Sequence, residues 1–126
     1  MKTLLFVALG GAVGATGRYI VGSFVSYLPQ SAFPLGTFTV NALGSLALGV
    51  IAALMAMTWN PSPELRAFLV VGVLGGFTTF SAFSIDVILL FERGRTALAL
   101  GYVAASLVVA IGGLFVGLRL TRMLLA

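Results

Sequence analysis

Four long apolar stretches dominate the 126-residue chain. They cover residues 3–28, 35–59, 67–91 and 96–118, and short segments with prolines or clustered charges separate them. A helix needs about 20 mostly apolar residues to cross the hydrocarbon core of a bilayer, and each stretch meets that length. The composition agrees, because 60% of the residues are hydrophobic and only 8% are charged. The sequence therefore predicts an all-α membrane protein that forms one four-helix domain over residues 1–126.

The chain contains no cysteine and no histidine. A disulfide framework, a thiol nucleophile, an imidazole base and the usual zinc sites are therefore excluded. The segments between the apolar stretches are also too short for a soluble catalytic domain. The basic residues lie mostly near the ends of the stretches, where they meet lipid headgroups rather than nucleic acid. We expect neither an enzyme nor a nucleic-acid-binding protein.

The basic residues divide almost evenly between the two sides of the membrane. With four spans, one side carries Lys2, Arg66, Arg119 and Arg122, and the other carries Arg93 and Arg95, plus Arg18 if its side chain reaches that surface. This difference is a weak positive-inside bias, so the chain could insert in both orientations. Four packed helices fill their own centre with side chains. A hydrated path across the membrane therefore requires an oligomer.

Glycines four residues apart recur in three of the four stretches. The pairs are Gly10 and Gly14, Gly72 and Gly76, and Gly113 and Gly117. Small residues at this spacing let membrane helices approach closely. Glycine is common in membrane helices in any case, so the pairs predict contact without identifying the neighbouring helix.

The segment GGFTTFSAFS, residues 75–84, lies near the middle of the third stretch. Two adjacent glycines weaken a helix by about 1 kcal/mol each, and hydroxyl side chains compete for backbone hydrogen bonds. The helix could open here near the bilayer midplane, and the carbonyl oxygens of Gly75 and Thr78 are then candidate cation ligands. The alternative is a kinked but continuous helix whose hydroxyls bond to their own turn. The residues alone do not choose between the two.

Several side chains near this segment could contact an anion. Phe80 and Phe83 are three residues apart, so their rings share one helix face, and an aromatic ring has a positive edge. Asn41 carries an amide that either joins two helices or donates to an anion. Tyr102 and Ser106 are four residues apart, which aligns two hydroxyls on one face.

Arg18 and Asp86 are the charged residues inside the apolar stretches. Snorkelling to the membrane surface explains Arg18, and the functional alternative is a positive vestibule that concentrates anions. Asp86 lies closer to the end of its stretch than to the middle, which is a poor position for a proton relay.

Two other classes of membrane protein match the size of the chain. A small-multidrug-type antiporter also has four spans, but it needs a deep carboxylate in its first span, and residues 3–28 contain none. A noncatalytic membrane assembly subunit would use the same polar residues only to join helices.

Three segments carry a resemblance to a known family. GGAVGATGRY at 10–19, GTFTVNALG at 36–44 and GGFTTFSAFS at 75–84 resemble the signature stretches of the Fluc fluoride channels, also called CrcB proteins. The resemblance implies an antiparallel dual-topology homodimer whose third helix is broken near the midplane. It further implies two pores, a central structural Na⁺, and passive fluoride export across the inner membrane of a prokaryotic cell.

The resemblance also assigns residues by their position in the motifs. The pore residues are Phe80, Phe83, Asn41, Tyr102 and Ser106, with Thr37, Thr79 and Ser81 as further candidates; Gly75 and Thr78 hold Na⁺ through backbone carbonyls, and Arg18 lines the vestibule. The chain departs from the usual pattern at Phe77, often leucine, at Ala82, usually threonine, and at Asp86, where glutamate is common.

Overall fold

The computed structural model describes residues 1–27 and 31–126, and within these ranges every regular element is helical. The elements are α1 (Lys2–Tyr27), α2 (Leu35–Met57), α3 (Pro63–Arg66), a π-helical segment (Ala67–Leu74), α4 (Gly75–Phe77), α5 (Phe80–Glu92) and α6 (Thr96–Leu125). Helices α1, α2 and α6, together with the third span Pro63–Glu92, are long and apolar enough to cross a membrane. The chain is a multi-pass membrane protein, as its hydropathy predicts.

The ends of the helices differ most from the predicted ends in the third and fourth spans, and α2 ends at Met57 instead of residue 59. The third span begins at Pro63 instead of residue 67, because the Ser62 side chain caps it by accepting from the Leu65 N–H at 3.2 Å. Helix α6 continues to Leu125 instead of ending at Leu118. The predicted end of the first span at residue 28 lies outside the described residues.

Close backbone-to-backbone contacts at glycines hold the spans together. Helix α1 packs against the π-helical segment where Gly10 meets Gly72, and a Cβ at Gly72 would lie 2.7 Å from the Gly10 Cα. Helix α2 packs most extensively on α6, where Gly117 of α6 lies against Leu46 of α2 and Gly49 of α2 lies against Leu114 of α6. In a bilayer this close packing replaces the hydrophobic effect as the force between helices. The glycine pairs predicted from sequence thus make their contacts within the chain.

The buried cluster of the molecule joins α5 to α6. Leu90, Ala99 and Tyr102 are at most 3% exposed, and aromatic side chains, among them Phe33 and Phe83, pack around them. The ring of Phe33, which precedes α2, meets the Tyr102 ring edge-on with centroids 5.3 Å apart. This cluster packs the last turn of α5 against the first two turns of α6.

Candidate functional site

Two consecutive extended residues separate α4 from α5. Thr78 has φ −83° and ψ 157°, and Thr79 has φ −152° and ψ 121°. Gly75 keeps helical angles of −64° and −37°, so the adjacent glycines are not where the helix opens. This interruption, Thr78 and Thr79, divides the third span into parts of similar length. Its depth in a bilayer stays a prediction.

Asn41 of α2 binds the main chain of the interruption at two points. Its Nδ2 donates to the Thr79 carbonyl at 3.0 Å, and its Oδ1 accepts from the Thr79 N–H at 2.7 Å. A non-helical residue at membrane depth leaves a backbone donor and a backbone acceptor that cost several kcal/mol if unpaired, and the Asn41 amide satisfies both at Thr79. One of the two Nδ2 hydrogens remains for another acceptor.

The hydroxyls of the interruption are bound locally. The Thr79 Oγ1 accepts from the Ala82 N–H at 3.1 Å and lies 3.2 Å from the Ser81 Oγ, so Thr79 is the N-cap of α5. The Thr78 Oγ1 donates back to the Leu74 carbonyl at 2.9 Å. Thr79 and Ser81 therefore contribute hydroxyls that already have partners.

The carbonyls of Gly75 and Thr78 both lose the donor that an unbroken helix would provide. In an α-helix each N–H pairs with the carbonyl four residues earlier, which matches Thr79 with Gly75 and Ala82 with Thr78. The Thr79 N–H instead donates to Asn41, and the Ala82 N–H donates to the Thr79 side chain. Two oxygens are thus left for another partner.

A hard cation such as Na⁺ fits this donor set, since unwound backbone carbonyls coordinate Na⁺ in interrupted membrane helices. Within the described ranges no group of three or more His, Cys, Asp or Glu side chains could hold a metal. Two carbonyls are too few for a hard cation, which takes about six oxygens or more. Gly75 is exposed on the surface of the chain, so further ligands could reach an ion from outside.

Arg18 reaches the interruption from α1. Its Nε donates to the Gly76 carbonyl at 3.0 Å, the oxygen that would pair with the Phe80 N–H in a continuous helix. The same side chain lines a cleft of about 320 Å³ with Thr37, Thr79 and other residues. The guanidinium thus binds the end of α4, which neither the snorkelling nor the vestibule interpretation predicted.

A cavity of about 240 Å³ lies beside the interruption, and we call it the aromatic cavity. Its lining consists of Asn41, Ser45, Thr78, Thr79, Phe80, Phe83, Ser106, Leu107 and Ala110. The Phe80 and Phe83 ring centroids are 5.6 Å apart with planes inclined by 55°. The Ser106 Oγ is buried without a hydrogen-bond partner among the described residues. A small acceptor in this cavity would meet a free hydroxyl and two aromatic rings.

Tyr102 and Thr37 do not line the aromatic cavity. Tyr102 is fully buried, and its hydroxyl donates to the Asp86 Oδ2 at 3.1 Å. Thr37 lines two clefts on another side, one shared with Asp86 and one with Arg18. The sequence interpretation missed Asp86 as a partner of Tyr102. A signal was available, because Asp86 follows Phe83 by three residues and so shares its helix face.

We expect Arg18→Met to lower the free energy of unfolding by about 1.5–3 kcal/mol, since a hydrogen bond to a charged group is lost and the Gly76 carbonyl is left unpaired. Thermal unfolding in detergent would measure the effect. Arg122→Met, at an exposed position near the end of α6, is the matched control. Equal stability of the two variants would contradict a role for Arg18 at the interruption.

Comparison with known proteins identifies the family of this chain. A family model described as "CrcB-like protein, Camphor Resistance (CrcB)" matches residues 5–118. The chain belongs to the CrcB family. The resemblance noted in the sequence is thereby confirmed, and the CrcB match includes the whole interruption and the aromatic cavity.

Curated relatives in the CrcB family match nearly the full length of the chain. A protein of Rhodospirillum centenum named "Fluoride-specific ion channel FluC" is 57% identical over 122 residues, which cover 97% of each chain. A protein of the same name from Agrobacterium fabrum is 50% identical over 122 residues, covering 97% of this chain and 98% of its own. One from Rhizobium etli is 49% identical over 124 residues, covering 98% and 99%.

Proposed function

We propose that this chain forms a fluoride-selective channel. The name of its relatives supports fluoride as the permeant ion. The observation that carries the proposal within this chain is the Ser106 hydroxyl, which faces the aromatic cavity near Phe80 and Phe83 and has no hydrogen-bond partner in the described part of the chain. Fluoride is a small, strongly hydrated anion, and it enters a narrow site only where donors replace its water.

The aromatic cavity offers fluoride several weak interactions and no cation. The Ser106 Oγ–H and the second Nδ2 hydrogen of Asn41 are donors, and the edges of Phe80 and Phe83 add a weakly positive rim. Among residues 1–27 and 31–126, no basic side chain lines this cavity. Conduction requires binding that is strong enough for entry and weak enough for release, and this combination meets both needs.

Fluoride leaves the cell passively in this proposal. HF enters from acidic surroundings, dissociates in the near-neutral cytoplasm and is trapped there as the anion. A negative-inside potential across the inner membrane drives fluoride out by about 2.3 kcal/mol per charge for each 100 mV. The chain then confers fluoride resistance without fuel and without catalysis.

The exposed face of the interruption supports a homodimer, and the nearly even distribution of basic residues between the two sides supports its antiparallel dual topology. Phe80 is 74% exposed, Ile85 and Ile88 are more than half exposed, and Gly75 is also at the surface. A second copy packed here would cover these apolar groups and bring its own carbonyls of Gly75 and Thr78 to a shared Na⁺. The ion would neutralise the partial charges of those carbonyls, and each copy would contribute its own aromatic cavity, which makes two pores.

Fluoride efflux from sealed liposomes, followed with a fluoride electrode, tests the function. We expect Phe80→Ile to lower the efflux rate at least about tenfold, because the ring edge is lost and each 1.4 kcal/mol changes a rate tenfold. Phe24→Ile is a matched control, since Phe24 is 66% exposed on α1 and lies outside the aromatic cavity.

The same liposomes separate a channel from other membrane proteins. Fluoride flux should be electrogenic and unchanged by a proton gradient, whereas an antiporter would follow that gradient. No efflux from purified chain at high protein density would favour an assembly subunit. Equal efflux in Phe80→Ile and Phe24→Ile would refute the assignment of the pore.

A further inference from the structure

Another cavity opens between α2 and the start of the third span. It measures about 320 Å³ and is lined by Leu48, Ala52, Met55, Ala56, Arg66 and Val70. The four residues from α2 follow one another at spacings of four, three and one, so they lie on one face of that helix. Arg66 and Val70 are four residues apart and face them from the third span. We call this cavity the Arg66 crevice.

Short side chains on α2 explain why the Arg66 crevice is open. The backbone of α2 lies close to α6 at Gly49, while Ala52 and Ala56 are the residues that face the third span. An alanine side chain does not reach across to a neighbouring helix that approaches less closely. A gap therefore remains along about 12 Å of α2, from Leu48 to Ala56 at 1.5 Å per residue.

The lining of the Arg66 crevice is apolar except for one guanidinium. The crevice belongs to helices that are long and apolar enough to cross a membrane, and water is not available in the hydrocarbon core. An empty gap would leave its lining without contacts on one side. A lipid acyl chain is the apolar group that surrounds such helices, and its methylene groups match this lining.

Arg66 lines the crevice close to the start of the third span at Pro63. Arg66 is the last residue of α3, and it is exposed. The segment before α3 contains Trp59, which is 37% exposed, and tryptophan is enriched at the membrane interface. A guanidinium at this level matches the geometry of a phosphate with two parallel hydrogen bonds.

We propose that the Arg66 crevice binds one anionic phospholipid, with an acyl chain against Ala52 and Ala56 and the phosphate on Arg66. The net positive charge of Arg66 distinguishes an anionic headgroup from a zwitterionic one, whose own ammonium group repels the guanidinium. This site is separate from the aromatic cavity, because the two share no lining residue.

Native mass spectrometry of the full chain in detergent, titrated with phosphatidylglycerol or phosphatidylcholine of identical acyl chains, tests the proposal. We expect phosphatidylglycerol to bind about tenfold more tightly than phosphatidylcholine, since a charge-assisted contact is worth at least that ratio. Arg66→Gln should remove the difference between the two lipids. Ala52→Phe, which fills the crevice, should weaken both.

Two further variants keep the test decisive. Arg122→Gln removes an exposed positive charge from α6 and should retain the preference for phosphatidylglycerol. Ala56→Leu fills the crevice from an exposed position and should weaken lipid binding even if Ala52→Phe fails to fold. Equal binding of both lipids by the native chain would overturn the proposal. The proposal would also fail if Arg122→Gln lost the lipid preference as fully as Arg66→Gln, or if Ala56→Leu bound lipid as tightly as the native chain. A changed oligomeric state in Ala56→Leu would overturn it as well, because it would mean that a second copy covers the crevice.

Discussion

Asn41→Asp should lower fluoride efflux by about 100-fold or more and destabilise the chain. A carboxylate still accepts from the Thr79 N–H, but it cannot donate to the Thr79 carbonyl, to which the native amide binds at 3.0 Å. The variant therefore places an uncompensated charge beside a carbonyl oxygen, at a cost of about 3–5 kcal/mol. The same negative charge lines the aromatic cavity and repels an anion there.

Efflux assays and hydrogen exchange of the 75–84 peptide would separate the two effects of Asn41→Asp. Exchange should rise because the interruption is held less firmly, and efflux should fall. Thr58→Ala is the control at the C-cap of the same helix, since Thr58 is exposed and its hydroxyl donates to the Leu54 carbonyl of its own turn. If the 75–84 peptide of Asn41→Asp exchanged hydrogen at the same rate as in the native chain, the amide would not be what holds the interruption.

Gly10→Ala should destabilise the chain by about 1–3 kcal/mol, the usual cost of overpacking, and could prevent folding. The added Cβ would meet the Phe68 carbonyl oxygen and would lie 3.0 Å from the Gly72 Cα and 3.1 Å from the Val73 nitrogen. These are backbone atoms, so no side chain can rotate away. Helix α1 would have to move off the π-helical segment.

The neighbouring residue provides a matched control for Gly10→Ala. A Cβ at Gly11 meets no atom within 4 Å, so Gly11→Ala should be neutral or should stabilise α1 by about 1 kcal/mol through helix propensity. The midpoint of thermal unfolding in detergent compares the two variants. The same midpoint for both would contradict the close contact between α1 and the third span.

Length and hydropathy predict the spans, but they do not predict the ends of the helices. The apolar stretch at 96–118 ends where Arg119 appears. Hydropathy therefore marks where the chain leaves the hydrocarbon core, which is not where the helix ends. Helix α6 continues to Leu125, because no proline or glycine follows Gly117 to stop it. The π-helical form of Ala67–Leu74 has no comparable signal in a run of ordinary apolar residues.

The sequence singled out Asn41, Phe80, Phe83 and Ser106, which line the aromatic cavity, but it did not predict their contacts. Asn41 carries both a donor and an acceptor, so the sequence leaves open whether it serves an anion or a neighbouring helix. In the structure the donor and the acceptor of the amide both bind the main chain of one residue, Thr79. The helix opens two residues beyond the glycine pair, because Gly76 is needed for close approach to Gly11 of α1 and Thr79 supplies the cap.

The unequal lengths of the spanning helices make this chain sensitive to bilayer thickness. At 1.5 Å per residue the 23 residues of α2 extend about 35 Å and the 30 residues of α6 about 45 Å. A hydrocarbon core about 30 Å thick accommodates α2 nearly upright, but α6 must tilt or project into the headgroups. A thicker membrane would reduce the hydrophobic mismatch of α6, but beyond about 35 Å it would exceed the length of α2. The two helices would then favour different tilts, and their close contact at Gly49 and Gly117 would limit how far each can adjust.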